Sequence, residues 1–141
     1  MSTKEGGTQS PIIEGYEDLV AWIAAGEKPV RDWRIGTEHE KFVFHNEDFS
    51  PVPYEGPRGI RALMEASIAE FGWEAIKEGD TTIALKRSNG LDNETISLEP
   101  GGQFELSGAP LATLHETCTE AGEHLRECLQ IGEELGIGFL G

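Results

Sequence analysis

The sequence is poor in positive charge, in cysteine and in long apolar runs. Its 11 lysines and arginines stand against 26 aspartates and glutamates, which gives a net charge of −15. Anionic nucleic acid and anionic membrane surfaces are therefore disfavoured as partners. No apolar run approaches the roughly 20 residues that a membrane-spanning helix needs. Residues 1–11 are polar and lack the apolar segment of a secretion signal.

The two cysteines, Cys118 and Cys128, fall within one predicted helix. At 1.5 Å per residue their positions are separated by about 15 Å, which is too far for a disulfide. We therefore expect two reduced thiols and a cytoplasmic protein. No histidine or cysteine at ligand spacing accompanies them, so the pattern does not predict a zinc site.

Hydrophobic periodicity predicts an α+β fold, an antiparallel sheet with helices on one side. We expect a disordered tail over residues 1–15 and one domain over residues 16–141. The helices are expected at 16–26, 60–71 and 110–135, and the strands at 33–45, 81–86, 95–99 and 103–107. Spacings of three and four place six residues on one apolar face of the last helix. They are Leu111, Leu114, Cys118, Ala121, Leu125 and Leu129.

The apolar run at residues 136–141 begins like a strand, and we expect it to continue into a longer polypeptide. It also matches the Gly-x-Gly-x-x-Gly spacing of dinucleotide-binding loops. That motif requires a strand before it and a helix after it, whereas this run follows a predicted helix. We therefore reject the dinucleotide interpretation.

Two glutamates lie on one face of the first predicted strand. Glu38 and Glu40 alternate with His39, so they project to the same side about 7 Å apart, and a divalent cation would offset their repulsion. His39 projects to the other side, where a hydrogen-bonded core histidine is expected. The alternative is a solvent-exposed strand face, which is the commoner explanation for an isolated Glu-x-Glu pattern.

A second acidic group lies around Pro100-Gly101-Gly102. A three-residue loop sets Glu99 opposite Gln103 and Ser97 opposite Glu105, and it gathers the apolar residues on the other face, whereas a two-residue loop mixes the faces. Carboxylate and amide oxygens suit a hard cation such as Mg²⁺. A polar outer hairpin face is the alternative. Lys86 and Arg87 fit either phosphate contacts or ordinary exposed positions at a strand end.

Four segments together resemble the glutamate–cysteine ligases shared by plants and proteobacteria. They are RIGTEHEKF, EGDTTIALK, ISLEPGGQFELSGAPLATLHETC and ELGIGFLG, and the resemblance runs from about Arg34 to Gly141. It implies the N-terminal portion of a ligase with a fold like that of glutamine synthetase's catalytic domain. It also implies ATP- and Mg²⁺-dependent joining of L-glutamate to L-cysteine through γ-glutamyl phosphate, the first step of glutathione synthesis.

The same resemblance assigns the metal ligands to Glu38, Glu40, Glu99 and Glu105, with Gln103 and Lys86 contacting substrate or supporting a ligand. No Ser/His/Asp or Cys/His nucleophile set is required. The family's polypeptide is longer, so we expect no activity from these residues alone and association with the remaining polypeptide or with a second copy. The alternatives are a non-catalytic metal-binding or interaction module and a purely structural fragment.

Overall fold

The computed structural model describes residues 12–89 and 92–141, and the chain forms two units, Met1–Trp33 and Arg34–Gly141. Most of the predicted tail, residues 1–15, lies outside the described residues, so that part of the prediction stays a prediction. The first unit contains helix α1, Tyr16–Ala24, and a short 3-10 helix, Val30–Asp32. Asp18 begins α1 by accepting hydrogen bonds from the amides of Glu14 and Gly15 at 2.8 and 3.0 Å.

The second unit is built on a six-stranded sheet in which all neighbouring strands are antiparallel. Its strands are β1 (Glu38–His45), β2 (Glu74–Glu78), β3 (Thr81–Asn89), β4 (Asp92–Glu99), β5 (Gln103–Ser107) and β6 (Ile137–Leu140). Their order is β2-β3-β4-β5-β1-β6, which places the first strand of the chain between β5 and the last strand. The predicted α+β class is therefore confirmed.

Helices α2 (Ile60–Phe71) and α3 (Leu114–Leu135) cover one side of this sheet. Each ends at a glycine with a left-handed backbone, Gly72 at φ 73° and Gly136 at φ 65°. The buried core joins the two helices to inward-facing residues of five strands, β1, β3, β4, β5 and β6. Its members are Val43, Ile60, Leu63, Met64, Trp73, Leu85, Ile96, Phe104, Leu106, Cys128, Ile131 and Ile137.

The strand boundaries differ from the prediction in three places. Strand β1 begins at Glu38 rather than at residue 33, because Ile35 forms only an isolated bridge with Leu111. Strand β3 ends at Asn89 rather than at residue 86, and strand β4 begins at Asp92 rather than at residue 95. Both are longer because their ladder continues to the Asn89–Asp92 pair. Strand β2 was not predicted, because Glu-Ala-Ile-Lys-Glu has weak strand propensity and is held by pairing with β3.

The sheet does not bury the predicted apolar face of α3. Leu114, Leu125 and Leu129 are 65%, 48% and 55% exposed, and Cys118 is exposed. The residues that pack inward lie on the adjacent side of the helix, among them His124 and the apolar Cys128 and Ile131. Apolar periodicity therefore located the helix but selected the wrong face, because polar residues form part of the buried side.

The apolar run after α3 is a strand, as predicted, and pairs with β1 from Phe42–Leu140 to His45–Ile137. Gly138 must be small, since a Cβ there would lie 2.5 Å from the Phe44 ring. The run follows a helix and is itself a strand, which supports rejection of the dinucleotide motif. None of the helices in residues 12–89 and 92–141 is both long and apolar enough to cross a membrane.

Candidate metal and substrate face

The pairing of β1 with β5 sets two carboxylates against each other. Glu40 lies directly opposite Glu105, and Glu38 lies opposite Ser107. Directly opposite residues of an antiparallel pair project from the same face with Cβ atoms about 5 Å apart. Glu38, Glu40 and Glu105 therefore share one face of the sheet, the side away from α2 and α3.

The β4–β5 hairpin adds the fourth glutamate to this face. Ser97 lies opposite Glu105 and Glu99 lies opposite Gln103, so the predicted three-residue loop is confirmed. Gly101 and Gly102 take φ values of 85° and 77°, which residues other than glycine rarely adopt. We call the surface formed by Glu38, Glu40, Glu99 and Glu105 the acidic face.

The four carboxylates differ in their surroundings. Glu105 is only 5% exposed and accepts a hydrogen bond from Ser107 Oγ at 3.1 Å. Glu38 and Glu40 are exposed, and Glu99 is partly buried. Within the described residues, no lysine or arginine forms an ion pair with Glu38, Glu40 or Glu105. The Glu40–Glu105 pair thus places like charges opposite each other, and neither is ion-paired with a lysine or arginine in the part of the chain that the structure describes.

A hard divalent cation fits the chemistry of this face. Carboxylate oxygens are the donors that Mg²⁺ takes, and two like charges directly opposite each other are destabilising without a counter-charge. In residues 12–89 and 92–141 no three acidic, histidine or cysteine side chains converge closely enough to hold a metal. The strand register thus groups the donors on one face, whereas the side chains are not gathered into a ligand set.

The two supporting residues of the prediction lie at different distances from the glutamate pair. Gln103, on β5, is paired with Glu99, and its Nε2 donates to the Pro100 carbonyl at 3.5 Å. Lys86 lies opposite Thr95 on the neighbouring strand, three strands from Glu38, and its Nζ is 3.4 Å from Glu74 Oε2. At about 4.8 Å per strand, Lys86 is roughly 14 Å from Glu38.

The sequence comparisons decide the family. The model of the Glutamate-cysteine ligase family 2 (GCS2) matches residues 34–141. This chain belongs to that family. The predicted resemblance is thereby confirmed for the whole of the second unit, which carries the acidic face.

Curated plant proteins are close relatives of this ligase-family chain over 125 residues, 89% of its length. Identity is 50% to glutamate–cysteine ligase A, chloroplastic, of Oryza sativa subsp. japonica, of which the match covers 24%. It is 52% to the chloroplastic enzyme of Nicotiana tabacum and 50% to that of Arabidopsis thaliana, with 23% of each covered. The chain thus spans about a quarter of the length of these relatives.

The cytoplasmic location predicted from the cysteines is wrong by this comparison, because these relatives are named chloroplastic. Both cysteines are free, Cys118 exposed and Cys128 buried. Burial raises the pKa of the Cys128 thiol to about 12, so it is an uncharged core group. Cys118 and Cys128 both lie in α3, too far apart to bond to each other, so their free state follows from geometry rather than from the compartment.

Two polar residues on the helix side of the sheet differ from their predictions. Arg87 is not exposed at a strand end, because its Nε and Nη1 donate to Glu94 and Glu127, each at 2.6 Å, and its guanidinium lies over the Trp73 ring. His39 projects to this side as expected. Its buried Nε2 has no hydrogen-bond partner among the described residues, so the predicted hydrogen bond is not formed at that atom.

Sequence reasoning missed two residues that bear on the acidic face. Ser107 shares the strand parity of Glu105, and that spacing was a usable signal for its hydrogen bond. Glu120, on α3, accepts from the Ala109 amide and from Thr37 Oγ1. Nothing in the local pattern around Glu120 indicated this contact, since Thr37 is 83 residues away along the chain.

Proposed function

We propose that this chain provides the metal-binding part of an ATP- and Mg²⁺-dependent ligase that joins the γ-carboxyl group of L-glutamate to the amine of L-cysteine. The observation that carries the proposal is the Glu40–Glu105 pair, two facing carboxylates on adjacent strands to which no lysine or arginine of the described residues is ion-paired. Membership of the glutamate–cysteine ligase family supports the choice of reaction. The product enters glutathione synthesis.

The proposed reaction has two steps. A γ-carboxylate oxygen of glutamate attacks the terminal phosphorus of ATP, the bond to ADP breaks, and γ-glutamyl phosphate forms. The cysteine nitrogen then attacks the acyl carbon, phosphate leaves, and the amine loses a proton. The first step brings two anions together, so charge compensation is central to its barrier, and both steps depend on the positioning of the reactants.

Glu38, Glu40, Glu99 and Glu105 would hold the magnesium, which offsets phosphate charge when it is bound. The chain's own part is to present these oxygens from strands, which position a site more rigidly than loops do. Ser107 holds the Glu105 carboxylate through its hydroxyl. Gln103 contacts substrate or orients a ligand beside Glu99, and Lys86 contacts phosphate at the margin of the face.

The remaining contacts to ATP, glutamate and cysteine come from a polypeptide portion outside these 141 residues, and the chain alone has no ligase activity. The relatives are about four times longer than the matched stretch, which supports this division. The exposed leucines of α3, Leu114, Leu125 and Leu129, form an apolar surface suited to such a portion. The relatives' names support a plastid location.

A chimera tests the proposal directly. Residues 34–141 would replace the matching stretch of the tobacco relative, and phosphate release would be measured with ATP, glutamate, cysteine and Mg²⁺. We expect the chimera to turn over, and we expect Glu40→Gln or Glu99→Gln to lower the rate by about 100-fold or more. The matched control is Glu65→Gln, an exposed carboxylate of α2, which should leave the rate unchanged.

Three results would contradict parts of this proposal. Turnover by the 141-residue chain alone would remove the need for a further portion. More than about half of the chimera's activity in Glu40→Gln would refute the metal assignment. Mg²⁺ binding by a correctly folded chimera that releases no phosphate would favour a non-catalytic metal-binding module instead.

A further inference from the structure

The start of β1 and the end of β5 meet at a tight corner beside the acidic face. Thr37 precedes Glu38 and Gly108 follows Ser107, and the Gly108 amide donates to the Thr37 carbonyl at 2.7 Å. This bond continues the ladder one step beyond the Glu38–Ser107 pair. The corner therefore fixes the end of the sheet from which Glu38 projects.

One carboxylate from α3 joins both sides of this corner. Glu120 Oε1 accepts from the Ala109 amide at 2.7 Å, and Oε2 accepts from Thr37 Oγ1 at 3.3 Å. The neighbouring glutamates of the helix have other contacts. Glu116 accepts from the amides of Ala112 and Thr113, just before α3, and Glu123 lies 3.9 Å from Arg126.

Gly108 is the residue that lets Glu120 approach. Its φ is not positive, so the backbone conformation does not require glycine there. A Cβ at this position would overlap Glu120 Oε2 and would lie 2.8 Å from Thr37 Oγ1. The glycine of the Ser-Gly-Ala-Pro stretch, Gly108, is thus explained by the close approach of Glu120 and not by the proposed metal ligands.

The corner connects to two carboxylates of the acidic face, Glu38 and Glu105. Glu38 follows Thr37 directly, and Ser107, which precedes Gly108, donates to Glu105 Oε1 at 3.1 Å. A shift of the corner would therefore move Glu38 and loosen the hydrogen bond that orients Glu105. Hydrogen bonds that orient metal-ligating side chains commonly tune metal affinity, and the corner holds Ser107, which makes such a bond to Glu105.

We propose that Glu120 is a positioning residue for the acidic face, acting through its hydrogen bonds to Ala109 and Thr37. This inference rests on the proposed function, because it assumes that the acidic face binds Mg²⁺. Glu120 does not touch the metal or the substrate. Its carboxylate fixes where β1 begins and where β5 ends, and so fixes Glu38 relative to Glu105.

The amide variant separates positioning from charge. In Glu120→Gln the side-chain oxygen still accepts from Ala109, and the side-chain NH₂ donates to Thr37 Oγ1, which can accept. The geometry is therefore kept while the charge is lost. Glu120→Ala loses both hydrogen bonds, and Glu123→Ala removes an equal charge from the same helix without touching the corner.

The test is calorimetric titration of the 141-residue chain with Mg²⁺, at a temperature where circular dichroism shows every variant folded. We expect Glu120→Ala to weaken Mg²⁺ affinity by about 10–100-fold. Glu120→Gln and Glu123→Ala should stay within about threefold of the parent. Hydrogen exchange should quicken at the Ala109 amide in the alanine variant and not in the amide variant.

Each other outcome overturns a different statement. Parent-like affinity in Glu120→Ala, with Glu40→Gln unable to bind, refutes the positioning role and leaves the metal site standing. Equal losses in Glu120→Gln and Glu120→Ala show that the charge matters rather than the hydrogen bonds, which also refutes it. A parent chain that binds no Mg²⁺ refutes the metal site and the positioning role together.

Discussion

Buried carboxylates occur on both sides of the sheet, with a different partner on each side. On the helix side, Glu94 and Glu127 each accept from Arg87 at 2.6 Å, and the three side chains are 7%, 16% and 14% exposed. On the acidic face, Glu105 is 5% exposed and lies opposite Glu40. Its hydrogen-bond donor is a neutral hydroxyl, that of Ser107.

The comparison separates carboxylates that are paired with an arginine of the fold from carboxylates whose charge a bound cation would offset. A buried ion pair is satisfied by the fold itself, and removal of one partner leaves an uncompensated charge. The Glu40–Glu105 pair has no such partner within the described residues, so a cation from solution is the simplest source of compensation. The same residue type is therefore paired with an arginine on one side and, on the other, supplies the carboxylates that the proposed function assigns to a cation.

The largest expected effect follows from removal of the internal cation. Arg87→Met keeps an unbranched side chain over Trp73 but leaves Glu94 and Glu127 without their positive partner. We expect the free energy of unfolding to fall by about 3–5 kcal/mol, measured by urea denaturation at neutral pH.

The control for this change is Arg126→Met, since Arg126 is 71% exposed and lies 3.9 Å from Glu123. Exposed pairs contribute about 0–1 kcal/mol, so this variant should unfold close to the parent. If Arg87→Met lowered the free energy of unfolding no more than Arg126→Met, the distinction between arginine-paired and unpaired buried carboxylates would fail.

The next effect concerns pH and the buried His124 on the helix side. Burial, together with the charges of Lys41, His39 and Arg87, lowers the pKa of His124 to about 3. The folded state keeps this ring neutral, stacked on Phe104 with centroids 6.1 Å apart. The unfolded chain takes up the proton as pH falls below about 6.5.

Because the pKa of His124 is lower in the folded state, this group does not change the free energy of unfolding above about pH 6.5. Below that pH the unfolded chain binds the proton and the folded state does not, so the free energy of unfolding falls progressively. The loss is about 1.4 kcal/mol per pH unit down to about pH 3. Between pH 6.5 and 5 the parent should lose about 2 kcal/mol more than His124→Gln. The control is His115→Gln, since His115 is exposed and should leave the pH dependence unchanged. If the free energy of unfolding of His124→Gln fell with pH as steeply as that of the parent, His124 would not be the group responsible.

The smallest effect tests the like-charge pair itself. Glu40→Gln should raise the free energy of unfolding by about 0.2–1 kcal/mol in EDTA, because it removes repulsion with Glu105. It should also abolish the stabilisation that excess Mg²⁺ gives the parent. Thermal unfolding in EDTA and in Mg²⁺ measures both effects, with Glu65→Gln as control. Destabilisation in EDTA with a retained Mg²⁺ response would contradict the pairing argument.

Local pattern predicted some elements well. Helix α2 was predicted with its observed bounds because its apolar spacing and terminal Gly72 lie within one short stretch. Strand β5 and the hairpin register were also correct, since the alternation of side chains leaves one loop length that keeps apolar residues together. Strand β2 was missed because its sequence favours no strand until β3 lies beside it.

The amino-acid sequence alone determined the hairpin, its glycine loop, and the shared face of Glu99, Gln103 and Glu105, because those contacts form between neighbours in the chain. Only the tertiary structure decided that Glu40 lies opposite Glu105 and which side of α3 is buried. Those outcomes depend on packing between segments far apart in the chain. No local spacing encodes such packing, because every residue at the interface contributes to its free energy.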